Sequence, residues 1–471
     1  MNIPAADPAM FRAYDIRGIA GDNLSEDVVQ RIGTAFAEQA LAASCPAVAV
    51  GGDGRESTPA LTDALALGLM RGGARVIDIG TVPTPLLYYA THETGTGTGI
   101  MVTGSHNPPE YNGLKMMLGG ITLAGDAIEQ LRINLDATPK PPPGAPRRER
   151  ADMLSSYCER VLADVTLARP LKVVVDCGNG VAGLVAPRLL SALGCDVTAL
   201  YAEVDASFPN HHPDPAEPAN LADLMEAVAQ SQADVGLAFD GDGDRLGVVT
   251  NTGDIVWPDT LLMFFTRAIA AEHPGAGIVY DVKCSRHVAR LAEAAGAEPI
   301  LSRTGHSHIK ARMRETGALV GGEFSGHICF ADRWYGFDDA IYAAARTLEL
   351  LAASEVSAAE VFGALPRGVS TPEIKIATTD ERKFEIVDAL RQGSFGGGTI
   401  TAIDGIRVDH DDGFGLVRAS NTSPVLSLRF EADNAGALAR IRQTFQRELL
   451  AVDPALRFSG GGERSLLSHH E

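Results

Sequence analysis

Gly99-Ile100-Met101-Val102-Thr103-Gly104-Ser105-His106-Asn107-Pro108 is a run in which four apolar residues give way to a polar turn. The apolar tetrapeptide reads as a short buried strand, and the turn puts Ser105 where the chain leaves a sheet edge. A serine hydroxyl exposed there, on a rigid scaffold, can carry a covalently transferred group. Taken alone the motif could equally be a polar turn, so its meaning depends on what surrounds it.

Strand-like runs at 47–50 and 75–79 precede it, separated by a helical pattern over 58–70, and this alternation predicts a parallel α/β unit. The stretch Pro139-Lys140-Pro141-Pro142-Pro143-Gly144-Ala145-Pro146 can continue neither a helix nor a central strand and reads as a linker. Beyond it, Leu171-Lys172-Val173-Val174-Val175-Asp176 is a buried strand ending in Cys177-Gly178-Asn179-Gly180, with further strands at 196–200 and 235–239. A third unit repeats the plan with a strand at 277–282, a helix over 285–295 and a strand at 319–322. Each unit sets a Gly- or Asp-rich loop at the C-terminal end of a strand, where open α/β sheets bind ligands. The last hundred residues differ. Strands at 399–403, 406–409, 415–419 and 425–432, then one helix over 435–449, make an α+β pattern. Ser459-Gly460-Gly461-Gly462 and His469-His470 read as a frayed tail.

With 471 residues, 45% apolar and 21% charged, the chain has the size of roughly three or four ordinary globular domains. A net charge of −20 argues against non-specific nucleic-acid binding and against anionic membrane surfaces. No apolar run is long enough to span a bilayer, and Met1-Asn2-Ile3-Pro4 does not open a signal peptide. Cys45, Cys158, Cys177, Cys195, Cys284 and Cys329 form no Cys-x-x-Cys pair, so free thiols in a cytoplasmic protein are expected.

Three further loops carry chemistry. In Asp240-Gly241-Asp242-Gly243-Asp244-Arg245, carboxylates alternate with glycines, so the backbone can turn all three toward one point. Hard oxygen ligands on a compact loop suit Mg²⁺. An EF-hand is excluded, because its sixth position would be Arg245 and its twelfth Asn251. Arg245 beside the cluster could steer a phosphate toward the metal. Gly322-Glu323-Phe324-Ser325-Gly326-His327 combines acceptor, donor and titratable groups suited to vicinal sugar hydroxyls. Arg418-Ala419-Ser420-Asn421-Thr422-Ser423-Pro424 offers a guanidinium, hydroxyls and an amide in a phosphate-sized cup, or else a capped turn. Basic residues recur at Arg12, Arg17, Lys115 and Lys283. Together these loops point to phosphoryl transfer on a sugar phosphate. A Ser-His-Asp hydrolase would want Gly-x-Ser-x-Gly, but Thr103 and Asn107 stand at the glycine positions. Neither a Walker A loop nor a Rossmann fingerprint is present, which argues against nucleotide use.

The four loops, in this order and spacing and preceded by Phe11-Arg12-Ala13-Tyr14-Asp15-Ile16-Arg17-Gly18, resemble those of the α-D-phosphohexomutases over nearly the whole length. The similarity is greatest to the bacterial phosphomannomutase/phosphoglucomutase group. It implies three similar mixed-sheet α/β domains and a C-terminal α+β domain around a central cleft. The expected divisions are a phosphoserine domain at 1–150, a metal-binding domain at 151–254, a sugar-recognition domain at 255–366 and a phosphate-binding domain at 367–471.

The resemblance implies that Ser105 is the phosphoserine and that Ser105, Asp240, Asp242 and Asp244 hold Mg²⁺. Glu323, Ser325 and His327 would take sugar hydroxyls, and Arg418, Ser420, Asn421 and Thr422 the phosphate that stays. Tyr14, Arg17, His106, Lys115, Arg245, Lys283 and His306 match positions lining the family's cleft. The implied reaction interconverts hexose 1- and 6-phosphates through a hexose 1,6-bisphosphate, with His327 or Lys115 as general base. Phe324 at the third position of its loop resembles the mannose/glucose group, whereas phosphoglucosamine mutases, the runner-up, favour Gln there. A non-catalytic sugar-phosphate sensor would need a broken site. The expected partners are small phosphosugars and the expected state a monomer.

Overall fold

The computed structural model describes residues 6–136, 147–420 and 423–458. The linker at 139–146, the tail and Met1 to Pro4 lie outside the described residues. Two compact units form: one runs to Asp281 and adds Val288–Leu301 and Gly305–Leu365, and the other gathers Val282–His287, Ser302–Thr304 and the chain from Pro366 onward.

The first unit holds three mixed sheets. In the first, the strand order is Ile16–Ile19, Tyr111–Leu118, Gly99–Val102, Ala47–Gly52, Arg75–Thr81, Arg148–Arg150, with Ile121–Thr122 paired on Tyr111–Leu118. The second runs Ile255–Val256, Leu246–Thr250, Val235–Phe239, Lys172–Asp176, Asp196–Leu200, and the third Glu298–Ser302, Gly277–Asp281, Val320–Gly322, Ile328–Phe330. One supersecondary unit recurs in all three. A strand lying parallel to its neighbour (Gly99–Val102, Val235–Phe239, Val320–Gly322) ends in a loop, and the chain returns antiparallel beside it. The three returning strands are Tyr111–Leu118, Leu246–Thr250 and Ile328–Phe330. The Ser105, triple-aspartate and Glu-Ser-His loops occupy that same position. The mixed sheets expected from the sequence are therefore present, and each places its loop where side chains escape the sheet.

The second unit carries a six-stranded sheet whose assigned ladders are all antiparallel, ordered Val369–Ser370, Val425–Ala432, Gly413–Ala419, Ile406–His410, Thr399–Thr401, with Ile374–Ala377 on Val425–Ala432. The helix Ala435–Val452 buries Ile441, Phe445 and Leu449 in the core of this sheet, the α+β arrangement expected. Among the described residues, no helix is long and apolar enough to cross a membrane.

Beside the first sheet, helices Glu26–Ala42 and Thr58–Arg71 pack by direct backbone approach. A Cβ added at Gly68 would lie 2.0 Å from the Gln30 carbonyl oxygen, and one at Gly33 would lie 2.6 Å from that of Leu65. Glycine here sets the interhelix distance, because the obstacle is backbone and cannot rotate away. Gly68→Ala is therefore expected to lower stability by about 1–3 kcal/mol despite alanine's better helix propensity. Chemical denaturation of the variant measures this, and unchanged stability would contradict the packing.

Candidate active site

The strand Gly99–Val102 is wholly buried, and the turn after it is built by Asp53 and Arg55 at the end of the neighbouring strand Ala47–Gly52. Asp53 Oδ2 accepts from Thr103 Oγ1 at 2.8 Å and from the Gly104 N–H at 2.9 Å. Thr103 Oγ1 in turn accepts the Ser105 N–H at 2.8 Å. Arg55 donates to the carbonyls of Ser105 (2.9 Å), Asn107 (2.5 Å), Pro108 (2.5 Å) and Tyr111 (2.9 Å). A Cβ at Gly104 would sit 2.2 Å from Arg55 Nε, so the guanidinium can lie under the turn only because that residue is glycine. Held this way, Ser105 adopts φ +49°, a left-handed conformation that costs a non-glycine residue energy.

Its hydroxyl, almost fully buried, donates to Asp240 Oδ2 at 2.9 Å and lies 3.2 Å from His106 Nδ1. Asp240 Oδ1 accepts the N–H groups of Asp244 (3.0 Å) and Arg245 (3.1 Å), which closes the loop on itself. Asp242 Oδ2 accepts from Thr84 Oγ1 at 2.5 Å, from Lys115 Nζ at 2.7 Å and from Thr103 Oγ1 at 3.2 Å. Lys115 Nζ also donates to Asp244 Oδ2 at 2.5 Å. All three aspartates are fully buried.

Burial would raise the pKa of Asp242, but the ammonium of Lys115 and the Thr84 hydroxyl hold it well below the carboxylate range. Asp240 is pushed well up, by burial first and then by Asp242 and Asp244. Burial opposes the charge on Lys115, yet Asp242 and Asp244 hold its pKa above the ordinary lysine value. His106 is held well below its usual range by burial and by the cations Arg245 and Arg17, so it is neutral.

The three carboxylates present oxygens within 4.8 Å of one another, and Oδ1 of both Asp242 and Asp244 is buried without a hydrogen-bond partner. Hard, anionic, undersatisfied oxygens on one compact loop are a donor set that fits a divalent cation.

Arg17 donates to the Thr103 carbonyl at 3.0 Å and pairs with Asp15 at 2.7 Å. On the third sheet, Glu323 accepts the Gly305 N–H at 2.5 Å and the Ser325 hydroxyl at 2.6 Å. Arg245 Nε donates to His327 Nε2 at 3.0 Å. His327 stacks on His306 at 5.3 Å between ring centroids, and the Tyr14 ring meets His306 edge-on at 5.6 Å. Tyr14, Arg17, Ser105, His106, Lys115, the three aspartates, Arg245, His306, Glu323, Ser325 and His327 thus form one connected set inside the first unit.

Lys283, Arg418 and Ser420 lie in the second unit. There Arg418 pairs with Asp404 at 3.2 Å, and the Ser420 and Ser423 hydroxyls are 3.0 Å apart. Glu373 is half-buried; desolvation would raise its pKa, but Lys283 and a hydrogen bond from Ser427 hold it below its usual value. Asn421 and Thr422 lie outside the described residues.

Sequence reasoning missed Asp53, Arg55, Thr84, Lys310 and Asp338. The signal for the first two was present: Gly51-Gly52-Asp53-Gly54-Arg55 is another Gly-rich loop at a strand's C-terminal end. Asp338 and Lys310 come together at 2.7 Å only in the fold.

The fold and this loop set define the chain's class: it belongs to the phosphoglucomutase/phosphomannomutase family. The α/β/α domains I, II and III of that family match residues 8–140, 154–253 and 257–368, and its C-terminal domain matches 373–448. Among curated proteins the chain is similar to phosphomannomutase/phosphoglucomutase of Pseudomonas aeruginosa strain PAO1, 51% identical over 96% of this chain and 98% of that one. It is 47% identical to phosphoglucomutase of Neisseria meningitidis strain Z2491, over 93% of this chain and 96% of the other. A crystal structure of a phosphoglucomutase/phosphomannomutase family protein from Burkholderia thailandensis superimposes with a TM-score of 0.91 at 48% identity, covering 96% of this chain and 99% of that one.

Arg55→Met would strip four loop carbonyls of their charged donor and deprive Asp53 of the guanidinium whose Nε lies 3.2 Å from its Oδ2. The expected loss is at least about 2 kcal/mol of stability, together with faster proteolysis within 103–111. Denaturation and limited proteolysis measure it, and a variant as stable and protected as the parent would show that Arg55 does not build the turn.

Proposed function

We propose that this chain is a phosphohexomutase that interconverts hexose 1-phosphate and hexose 6-phosphate, with mannose and glucose phosphates as substrates. The observation that carries the reading is Ser105 Oγ at 2.9 Å from Asp240, inside a cluster of three buried carboxylates. A serine needs no such cluster for structure, whereas a phosphoserine beside Asp240, Asp242 and Asp244 shares with them a site for Mg²⁺. When bound, Mg²⁺ supplies positive charge that offsets the charge on the transferring phosphoryl group.

The chain's own residues then divide the work. Ser105 gives its phosphoryl group to the free hydroxyl of the bound hexose phosphate and later takes the other phosphate back, so a hexose 1,6-bisphosphate links the two halves. Lys115 and Arg245 contribute fixed positive charge. Of the two candidate bases, Lys115 is held as the ammonium by two carboxylates, so the proton of the sugar hydroxyl passes to His327. Neutral His106 and Arg17 shape the Ser105 loop. Glu323, Ser325, His306 and Tyr14 hold hydroxyls, and Lys283, Arg418, Ser420, Asn421 and Thr422 hold the phosphate that is not transferred. On this reading 1–150 carries the phosphoserine, 151–254 the metal, 255–366 the sugar contacts and 367–471 the resident phosphate. Phe324, which stacks on Trp257 at 6.2 Å, stands where the phosphoglucosamine mutases favour Gln, and this supports the mannose/glucose reading over phosphoglucosamine. All six cysteines are free thiols, which fits a reducing cytoplasm.

The purified protein with Mg²⁺ should convert glucose 1-phosphate and mannose 1-phosphate, with glucosamine 1-phosphate much slower. Intact mass should show one phosphate that Ser105→Ala removes, along with activity by a factor on the order of 10³ or more. Full activity in Ser105→Ala would sink the mechanism.

A further inference from the structure

Behind the stacked imidazoles lies a buried carboxylate to which the mechanism above gives no part. Asp338 is wholly buried, Lys310 Nζ donates to its Oδ1 at 2.7 Å, and its Oδ2 lies 3.1 Å from His327 Nδ1 and 3.3 Å from His306 Nδ1. Its place is fixed by the chain around it. Asp338 bridges to Cys329 at the sheet edge, and the Asp339 N–H donates to the Ile328 carbonyl at 3.1 Å. Asp339 itself caps helix Ala340–Ala352 and accepts from the Tyr157 hydroxyl at 2.9 Å and from the Trp334 indole N–H at 3.2 Å.

The hydrogen-bond roles of the two histidines follow from their neighbours. Arg245 Nε can only donate, so His327 Nε2 accepts and the neutral ring carries its proton on Nδ1, the nitrogen beside Asp338. Lys310 Nζ, 3.1 Å from His306 Nδ1, can also only donate, so His306 carries its proton on Nε2. The stacked rings therefore hold opposite tautomers on either side of one carboxylate. Asp244, His327 and Asp338 also have the composition of a metal site. The proton on Nδ1 argues against that use.

We propose that Asp338 is the positioning residue for His327: its carboxylate, held by Lys310, stands beside Nδ1 and favours the proton there, so that Nε2, which now accepts from Arg245, is the nitrogen that exchanges that bond for the sugar hydroxyl proton. This rests on the reading of His327 as the base. Asp338 Oδ2 lies 3.1 Å from His327 Nδ1, nearer than Asp244 Oδ1 at 3.5 Å, which leaves Asp244 to the carboxylate cluster.

The test uses the Ser105-phosphorylated, Mg²⁺-loaded protein and glucose 1-phosphate. Asp338→Asn keeps the shape but removes the anionic acceptor. It should lower kcat about 10²-fold while KM stays within about threefold. His327→Ala should lower kcat at least as far, and the double variant should fall no further, because the two residues act through one ring. Imidazole ¹⁵N resonances should show His327 protonated on Nδ1 in the parent and a mixture of tautomers in Asp338→Asn. If Asp338→Asn does not fold, Asp338→Glu, which keeps a charge for Lys310 but displaces the acceptor, should show the same kcat loss. An unchanged kcat in the Asp338 variants beside an impaired His327→Ala would overturn the positioning role and leave the base reading standing. So would additive losses in the double variant. Full activity in His327→Ala would overturn both.

Discussion

The contact on which the site depends is the ammonium of Lys115 between Asp242 and Asp244, at 2.7 and 2.5 Å, with all three groups buried. Three carboxylates on one loop, removed from water, would each cost several kcal/mol if left alone. They persist because the first sheet supplies what the second cannot. Lys115, Thr84, Thr103 and Ser105 all donate into the cluster: Lys115 from the strand Tyr111–Leu118, Thr84 from the start of the helix Thr84–Glu93, and Thr103 and Ser105 from the loop after Gly99–Val102. The aspartate loop and the serine loop are therefore one folding problem. Breaking such a buried pair by removing one partner costs about 3–5 kcal/mol, so these side chains also tie the two loops together.

The same topological device is used three times with different side chains. A parallel strand ends, a loop projects, and an antiparallel strand returns. The first loop presents a serine hydroxyl, the second anionic oxygens, and the third an acceptor with an imidazole. Because each loop starts from a fully buried strand, its first residues inherit the sheet's rigidity. Ser105 can then be kept in a left-handed conformation by Asp53 and Arg55, which belong to the neighbouring strand end.

The readable parts of the sequence were those where apolar pattern and loop chemistry agree. Buried runs such as Val173-Val174-Val175 announce a strand, and the Asp-Gly alternation after Phe239 announces a loop that must turn tightly. The strand Tyr111–Leu118 went unread, because Asn112, Gly113 and Lys115 interrupt its apolar face even though all three are buried. The last two have a structural reason: Lys115 neutralises the aspartates, and Gly113 leaves room for the Ile16 carbonyl, 2.2 Å from where its Cβ would be. Ile16–Ile19 escaped for a similar reason, with Arg17 buried in a four-residue strand. Asp338 carries no local signal, since what gives it meaning are Lys310 and two histidines that reach it from elsewhere in the fold.

On the proposed function, Ser105 and the three aspartates hold one cation together. Electron–nuclear double resonance on the phosphorylated protein loaded with Mn²⁺ in place of Mg²⁺ tests this most directly. The expected result is one bound Mn²⁺ per chain with a ³¹P coupling that vanishes in Ser105→Ala, and much weaker binding in Asp242→Asn. A tightly bound Mn²⁺ without any ³¹P coupling in fully phosphorylated protein, or binding indifferent to Asp242→Asn, would contradict it.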